Sequence, residues 1–415
     1  MRADFVCDED GGGADWRGGA GPRVVVTPSV FAARADDGLF LDDKAISGLE
    51  AWRRAWPGPM RAIFREGCHS TISFGRVHDP HALDFDVALV DAQRPVPDAL
   101  LADADVILAG GDDTRDFAML PQARRLGVPI VYIIENLLQT RLQIIGVSDA
   151  GWWQKLKSSV WATGMEMKRR RLFKAADALQ ANGTPAADAY GRVNADTLCF
   201  FDTRLPRSIM AGDDAMKVRF HRLRGGLPLR LAFSGRLEAL KGTDHLIPVA
   251  RELAARHVPF RMDIFGTGSQ LEDIRSAIAE SGLGDRVTLH GGVDFETQLM
   301  PFLRDHVDLF VCCHRQSDPS CTYLETFGCG VPMVAYGNRA FDGITRLAPV
   351  GWSVRRNDPA AMAGMIAQLD QDRERLCAAA AAARAFADRH DMGSTFTARP
   401  QHLLSVLDRV KSRGE

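Results

Sequence analysis

The sequence predicts an α/β protein with two doubly wound domains, each a parallel sheet with helices on both faces. Short apolar, β-branched runs without polar alternation recur along both halves, and such runs are typical of strands buried on both faces. Stretches of helical periodicity separate them, at the spacing that crossovers between parallel strands need. A length of 415 residues, 46% hydrophobic and 25% charged, suffices for two or three domains and excludes a wholly disordered or fibrous chain.

The N-terminal half begins with a segment rich in glycine and aspartate. We expect residues 1–22 to form a disordered tail, because this segment has no apolar core for a domain or a signal peptide. Residues 23–210 are assigned to the first domain. A helix is expected from Arg115 to Leu126, closed by Gly127. The predicted strands are Arg23–Thr27, Val87–Val90, Val106–Ala109, Pro129–Ile134 and Ala178–Asn182.

The C-terminal half repeats the alternation of strands and helices. Residues 211–228 are charged and end in glycines and a proline, so they are interpreted as a linker. Residues 229–390 are assigned to the second domain. The predicted strands are Leu229–Ser234, Arg261–Phe265, Arg286–His290, Val307–Cys313, Pro332–Tyr336 and Trp352–Val354. The predicted helices are Thr243–Arg256, Gly268–Ser281, Phe295–Leu303 and Thr322–Cys329.

Charge and cysteine content narrow the classes of partner. The net charge of −2 excludes a bulk polycation, so no nucleic-acid partner is predicted. The eight cysteines form no C-x-x-C pair, which indicates reduced thiols in a reducing compartment, and we expect the protein to be cytoplasmic. Cys312 to Cys329, with His314 among them, could suggest a metal, but the paired ligand spacings are absent and no metal site is predicted.

The candidate site residues lie in loops that follow strands, because the carboxyl ends of parallel strands meet at one edge of a sheet. The first loop places Gly235, Arg236 and Lys241 before a helix, with Thr243 as its candidate N-cap. Two cations beside a helix N-terminus suit an anion the size of a diphosphate. The alternative is that both are ordinary solvated loop charges.

Three further loops follow the next strands. Gly266 and Gly268 form a G-x-G turn, and two glycines precede Val293, so the backbone can approach a ligand closely, although tight turns alone would also explain them. The fourth loop carries Asp318, followed by a short helix with Glu325. Carboxylates there can accept hydrogen bonds from sugar hydroxyls. Alternatively, Asp318 caps the helix and Glu325 pairs with a surface cation.

Together the four loops resemble the nucleotide-sugar domain of the retaining GT-B glycosyltransferases of family 4, the group 1 transferases. The motifs G-R-L-x-x-x-K-G, F-G-x-G, V-x-L-H-G-x-V and L-E-x-x-x-C-G-V-P occur here in the family's order, between Gly235 and Ala335. The resemblance implies two facing Rossmann-like domains with an interdomain cleft. It also implies that residues 391–415 form a helix that crosses back to the first domain.

The resemblance also implies roles for individual residues. Arg236 and Lys241 would bind the donor diphosphate, and Glu325 would hold the ribose hydroxyls. Val293 would lie near the base. The backbone around Ser320, Cys321 and Thr322 would face the phosphates and the donor sugar. The implied mechanism uses no cofactor or active-site metal beyond the nucleotide-sugar co-substrate.

This sequence departs from the family pattern in both halves. The family has two glutamates with seven residues between them, and Glu325 matches the second. Eight residues before Glu325 this chain has Ser317, so the adjacent Asp318 is the candidate replacement for the first glutamate. In the first half, the strand that ends at Ile134 is followed by Glu135 and Asn136 where many members have a histidine. Either residue is a candidate contact of the donor sugar or the acceptor. Glu135 is a candidate catalytic residue beside Arg236 and Lys241, with a simple helix first-turn acid as the alternative.

The segment from 152 to 174 combines three tryptophans with a run of lysine and arginine. Aromatic rings beside cations are what a helix at a membrane surface needs. The alternatives are an ordinary packed helix or another partner.

The sequence thus predicts a hexosyltransferase-type enzyme acting on a glycan, lipid-linked or small-molecule acceptor. The alternatives are a nucleotide-sugar sensor or scaffold subunit without activity, which the altered acidic loop favours, and a sugar-nucleotide epimerase of the same fold. The absence of an acid/base histidine in the C-terminal motifs argues against the epimerase.

Overall fold

The computed structural model describes residues 16–72, 75–148, 150–317 and 319–414, and the chain divides into two compact units. The first unit holds the chain up to Asn182, the segment Ala186–Phe200 and the residues from Phe396 onward. The second holds Gly183–Pro185 and Phe201–Thr395. Each unit is built on a largely parallel sheet, so the predicted α/β class with two Rossmann-like domains is confirmed.

The sheet of the first unit has ten strands within the described ranges. They are β1 Val24–Val26, β2 Phe31–Ala35, β3 Gly38–Asp42, β4 Met60–Glu66, β5 Gly75–His78, β6 Asp86–Val90, β7 Val106–Gly110, β8 Ile130–Ile134, β9 Ala178–Asn182 and β10 Thr197–Phe200. Their order is β10-β9-β8-β7-β1-β4-β2-β3-β5, with β6 beside β4. The strands from β10 to β4, with β6 and β2, pair parallel, whereas β3 pairs antiparallel with both β2 and β5. The chain extends the sheet on opposite sides of β1, so the loops after β1 and β7 meet at a topological switch point.

Helices cover this sheet. They are α1 Asp43–Ala55, α2 Met119–Leu126, α3 Leu138–Val147, α4 Trp152–Ala175 and α5 Gly183–Tyr190. The side chain of Asp42 caps α1 by accepting a hydrogen bond from the N–H of Ala45. Gly127 ends α2 in the left-handed conformation, as the sequence predicts. The predicted start at Arg115 was too early, because residues 114–118 form a 3₁₀ turn.

The sheet of the second unit is entirely parallel. Its strands are β11 Leu229–Ser234, β12 Phe260–Phe265, β13 Val287–Gly291, β14 Leu309–Cys312, β15 Met333–Tyr336 and β16 Gly351–Val354. Their order is β13-β12-β11-β14-β15-β16. The chain turns from one side of β11 to the other, which places the switch point between the loops after β11 and β14.

The helices of the second unit follow its strands. They are α6 Asp213–Arg224, α7 Leu246–Ala255, α8 Leu271–Glu280, α9 Met300–His306, α10 Cys321–Gly328, α11 Arg339–Leu347, α12 Pro359–Gln371 and α13 Arg373–Arg389. A π-helical turn, Phe295–Leu299, precedes α9. The last helix, α14, spans Met392–Gly414, and its residues from Phe396 onward group with the first unit. Within the first unit, the guanidinium of Arg399 lies over the ring of Phe200 and bonds to the side chain of Gln180.

Two segments that were predicted to be irregular contribute buried side chains to the units. Residues 16–22 of the predicted disordered tail include Trp16, which is buried in the first core beneath Arg61, because its large ring gains by leaving water. Residues 1–15 of the predicted tail lie outside the described residues. Most of the predicted linker 211–228 is α6, which buries Met216, Arg219 and Leu223. The chain therefore passes between the units at Phe200 and Phe201, upstream of the predicted linker.

None of the helices in the described part of the chain combines the length and the apolar character that spanning a bilayer requires. Cys312 and Cys329 are buried, and burial raises the pKa of the first thiol to about 11 and that of the second to about 12. Both are therefore protonated at neutral pH.

Candidate active site

Four turns converge at the carboxyl edge of the second sheet. The N–H of Gly235 donates to the carbonyl of Phe265, at 3.1 Å, and the N–H of Gly266 donates to the carbonyl of Gly291, at 2.7 Å. The turn after β11 is also joined to the loop after β14, because the N–H of Arg315 donates to the carbonyl of Leu240. The predicted loops are therefore adjacent, and their backbones fix one another.

The glycines of the first two turns are required by close backbone packing. A Cβ on Gly266 would lie 1.9 Å from the carbonyl oxygen of Gly235, and one on Gly268 would lie 2.4 Å from that of Leu237. Both residues have positive φ, 132° and 158°. Gly242 has φ of 64°, and its Cβ would meet the Cys313 carbonyl at 2.1 Å. Only glycine permits these approaches, so the tight-turn interpretation explains these glycines without a ligand.

The two predicted cations lie on the turn after β11 and differ in environment. Arg236 is exposed, whereas Lys241 is half-buried and ends a short 3₁₀ turn, Ala239–Lys241. Lys241 lies close enough to His314 to disfavour protonation of that ring. Hydrogen bonds from Ser269, and then the charge of Arg236, hold the pKa of Glu238 below its usual range. This turn therefore carries two cations, and its carboxylate, Glu238, already accepts hydrogen bonds from Ser269 of the next turn.

Thr243 does not act as the predicted N-cap. Its side chain is fully buried and bonds to Gln270 and to the carbonyl of Glu238 instead. The following helix, α7, starts only at Leu246, after a 3₁₀ turn. The positive end of α7 is therefore set back from this loop, which receives less of the helix dipole than the sequence predicted.

The loop after β14 leads into α10, which carries most of the predicted donor-binding residues. Ser320 is the N-cap of α10, and its side chain makes no cap hydrogen bond. Cys321 and Thr322 form the first turn and are partly exposed. The Sγ of Cys321 lies 3.7 Å from Oδ2 of Asp202. Asp318, the candidate replacement for the family's other glutamate, lies outside the described residues.

Glu325 is buried on α10 and is held by a cation. Its carboxylate accepts a hydrogen bond from Nε of Arg204, at 3.1 Å, and the Arg204 guanidinium lies 3.7 Å from the centre of the Phe295 ring. A carboxylate has about four acceptor positions, so this contact leaves capacity for sugar hydroxyls. The pairing also matches the alternative prediction of an ion pair with a surface cation.

Arg315 was not identified as a candidate from the sequence motifs. Its guanidinium donates to the carbonyl of Ala239, to Asp244 and to Asn357, at 2.7 to 2.9 Å. It therefore ties the loop after β14 to the turn that carries Lys241. The only sequence signal is a cation directly after a buried strand, which by itself does not distinguish a positioning residue from a surface charge.

His314 and Ser317 are also buried in the loop after β14. Nothing in the sequence indicated that these two side chains would be buried. Among the described residues, neither His314 Nε2 nor Ser317 Oγ has a hydrogen-bond partner. Burial, and then the charge of Lys241, hold the pKa of His314 well below its usual range. His314 is therefore a neutral ring packed against Tyr323 and Phe233.

The low pKa of His314 predicts a pH dependence of stability. An unfolded histidine binds a proton near pH ~6.5, while folded His314 stays neutral, so stability is constant above that pH and falls below it. From about pH 6.5 to about pH 5, this group should cost up to ~1.4 kcal/mol of unfolding free energy per pH unit. Urea unfolding of His314→Gln should show a shallower acid slope by that amount. His221→Gln, at an exposed position of α6, is the control. Equal slopes in the wild type and His314→Gln would contradict the assignment.

In the first unit, Glu135 lies at the carboxyl end of β8 and is exposed. A buried network holds its backbone: Asp112 accepts hydrogen bonds from the N–H groups of Glu135, at 2.7 Å, and Asn136, at 3.2 Å. Asp112 is in turn bound by Arg169 of α4, at 2.7 Å. The side chain of Arg169 is fully buried and also donates to the carbonyls of Gly111 and Asn136. The structure thus places Glu135 at a strand end next to the switch point, on a rigid loop.

Comparison with known proteins supports the reading of the second unit. Residues 219–386 match the family model described as "Glycosyl transferases group 1". A D-inositol 3-phosphate glycosyltransferase from Acidothermus cellulolyticus is 28% identical over 268 residues, covering 60% of this chain and 55% of that protein. A 2-deoxystreptamine glucosyltransferase from Streptomyces kanamyceticus is 28% identical over 124 residues, covering 30% of this chain. The matches span only 31% to 55% of the length of these relatives.

Solved structures show the fold of the whole chain. The structure of Anabaena Alr3699/HepE in complex with UDP matches with a TM-score of 0.62 at 14% identity, covering 92% of this chain and 99% of that one. Sucrose-phosphate synthase from Thermosynechococcus elongatus matches with a TM-score of 0.59 at 14% identity, covering 94% and 99%. The chain therefore has the GT-B fold, and its residues 219–386 match the family model of the group 1 glycosyl transferases.

Proposed function

We propose that the protein is a glycosyltransferase that moves a sugar from a nucleoside-diphosphate sugar to an acceptor hydroxyl, with retention of anomeric configuration. Polysaccharide, glycolipid or other glycoconjugate synthesis is the expected setting. The observation that carries the proposal is the carboxyl edge of the second sheet. There, interlocked turns place Arg236, Lys241 and the N-terminal end of α10 on adjoining loops. The group 1 domain over the same residues supports it.

In this proposal the donor binds along that edge. Arg236 and Lys241 meet the charge of the diphosphate, and the turns at Gly266 and Gly268 line the same edge. The first turn of α10, at Ser320, Cys321 and Thr322, faces the phosphates and the donor sugar. Val293 lies near the base and Glu325 accepts hydrogen bonds from the ribose hydroxyls. Asp318 is proposed to contact the donor sugar.

Catalysis is proposed to be electrostatic. Negative charge grows on the leaving diphosphate as the sugar bond breaks, and fixed cations and dipoles stabilise it more in the transition state than in the bound donor. The acceptor hydroxyl is the nucleophile. Glu135 remains the candidate in the first unit for contact with the donor sugar or the acceptor.

Thermal unfolding in the presence of nucleotides tests the donor class. UDP is the first ligand to try, because the Alr3699/HepE structure contains it, and GDP and ADP serve as comparisons. A ligand that binds only the folded state should add about 2.7 kcal/mol of stability at a hundredfold excess over its Kd. We expect one nucleoside diphosphate and its sugar conjugate to raise the melting temperature. No shift with any of the three would contradict a nucleotide-sugar site.

One observation favours a second candidate, a nucleotide-sugar-binding protein without turnover. Ser317, which stands where the family has an acid, is fully buried and cannot act as a carboxylate. The two candidates differ in what happens to a bound donor. Incubation of the purified chain with the stabilising nucleotide sugar should release the free sugar slowly if the protein is a transferase. Stabilisation with no release of sugar, and no transfer to any acceptor tested, would favour the binding protein.

A further inference from the structure

The N-terminal half of α4 presents an apolar surface that no other described part of the chain covers. Trp152, Trp153, Val160 and Trp161 are 63%, 68%, 66% and 58% exposed, and the two adjacent tryptophan rings stack with their centres 3.8 Å apart. Large aromatic side chains at such exposure are unusual for a soluble surface. The prediction that this segment is an ordinary packed helix therefore fits only its other end.

Most of the exposed apolar side chains share one face of the helix, and Trp161 lies to one side of it. Trp153, Val160 and Met167 recur every seven residues, and Leu156 lies four residues before Val160, so these side chains stack along one stripe. We name the set of Trp152, Trp153, Leu156, Val160 and Met167 the tryptophan face. On the opposite face, Ala162, Glu166, Arg169, Leu172 and Phe173 are buried against the first unit.

The charges around the tryptophan face have a single sign. Exposed cations continue the stripe and flank it, at Lys157, Lys168, Arg170, Arg171 and Lys174. The only carboxylate between residues 152 and 175 is Glu166, which is buried and already paired with Arg169 and Arg170. The exposed surface of this helix thus joins large apolar rings to four cations that do not pair with Glu166, at Lys157, Lys168, Arg171 and Lys174, and its complement is apolar and anionic.

We propose that the tryptophan face and its flanking cations bind an anionic membrane surface, with α4 lying in the plane of the interface. Tryptophan rings partition into the boundary between headgroups and acyl chains, and lysine and arginine are attracted to acidic headgroups. A second copy of the chain fits less well, because a symmetric contact would bring five cations of one helix against the same five of the other. A nucleic acid would satisfy the charge but would leave Leu156 and Val160 in water. This proposal does not depend on the proposed function.

Flotation of the full chain with vesicles tests the proposal. We expect binding to phosphatidylcholine vesicles that contain a third of phosphatidylglycerol, little binding to phosphatidylcholine alone, and release as salt shortens the Debye length from ~10 Å at 0.1 M to ~3 Å at 1 M. The apolar variant Trp152→Ser/Trp153→Ser should bind at least ~10-fold more weakly. Each replacement of Lys157, Lys168, Arg171 or Lys174 by Gln should weaken binding about fivefold.

Matched controls come from exposed positions of the second unit. Leu347→Ser removes an apolar side chain that is 58% exposed, and Lys217→Gln removes an exposed cation. Neither should change binding, and circular dichroism should show that all variants are folded. Absence of binding to the anionic vesicles at low salt would overturn the proposal. Equal losses in the controls would also overturn it. So would a wild-type dimer that the tryptophan variant dissociates without any effect on vesicle binding, or binding to a single-stranded oligonucleotide but not to vesicles.

Discussion

Arg236→Ala and Lys241→Ala are each expected to lower kcat/KM by about a hundredfold or more, which corresponds to about 2.7 kcal/mol of transition-state stabilisation. The charge on the leaving phosphate grows as the sugar bond breaks, so a fixed cation gains more from the transition state than from the bound donor. Lys241 is expected to show the larger effect, since it is the more buried of the two and its interaction is less screened by water. Steady-state kinetics with the donor identified by thermal shift would measure both effects.

Three companion variants sharpen this experiment. Lys241→Arg should recover only part of the activity, because a planar guanidinium does not occupy the place of a point charge. Glu325→Gln should act mainly on the KM for the donor, since a ribose contact is remote from the breaking bond. Arg275→Ala removes a cation of α8 that is 64% exposed and should leave both constants unchanged. If Arg236→Ala and Lys241→Ala turn over normally while folded, the assignment of the diphosphate site is wrong.

Arg169→Met is expected to have the largest effect on stability, about 3–5 kcal/mol in the first unit. The substitution leaves Asp112 and Glu166 without their shared buried cation and removes donors from the carbonyls of Gly111 and Asn136. Removing one partner of a buried ion pair typically costs that much. Hydrogen–deuterium exchange of peptides that contain the N–H groups of Glu135 and Asn136 would measure it, because both groups are bonded to Asp112.

The adjacent residue provides the control for this measurement. Arg170 pairs with the same Glu166, but its side chain is 48% exposed. Arg170→Met should therefore change stability by less than about 0.5 kcal/mol and leave the exchange of the 135–136 loop unaltered. Similar protection of that loop in Arg169→Met and in the wild type would show that the buried network does not hold it.

The parts of the fold that could be predicted are those whose sequence agrees with their burial. The strand Leu229–Ser234 was predicted to the residue, since it is apolar, lies at the centre of its sheet and is followed by a glycine turn. Gly127 was likewise identified as the end of a helix from its position alone. In these segments periodicity, turn chemistry and packing favour the same structure.

Buried arginines account for two of the elements that were missed, β4 and α6. The central strand β4 carries Arg61 and Arg65, which break the apolar run, and both are buried because Asp86 and Asp116 pair with them. Helix α6 was interpreted as a linker because of its charges, yet Arg219 is buried and donates to the carbonyls of Val307 and Arg304 at the end of α9. The partners of each arginine are distant in sequence, so no local pattern could reveal them.

In the candidate site, too, residues with a local sequence signal could be predicted and residues that depend on distant partners could not. Its glycines and cations could be predicted because each follows a strand in a recognisable motif. Arg315, His314 and Ser317 could not, since their positions depend on contacts with loops up to 76 residues away, such as the bond from Arg315 to the carbonyl of Ala239.

The contact of the Gly266 Cβ position with the Gly235 carbonyl limits how this protein could be altered, by natural selection or in a laboratory library. Backbone abuts backbone at residues 266 and 268, and residue 235 has a φ of 151° that side chains disfavour, so all three positions require glycine and an insertion in one turn would displace its neighbours. New specificity would have to come from side chains that project from the turns, as Arg236 does, or from the exposed loops of the other unit. A randomisation scheme that leaves those three codons untouched would waste the fewest clones.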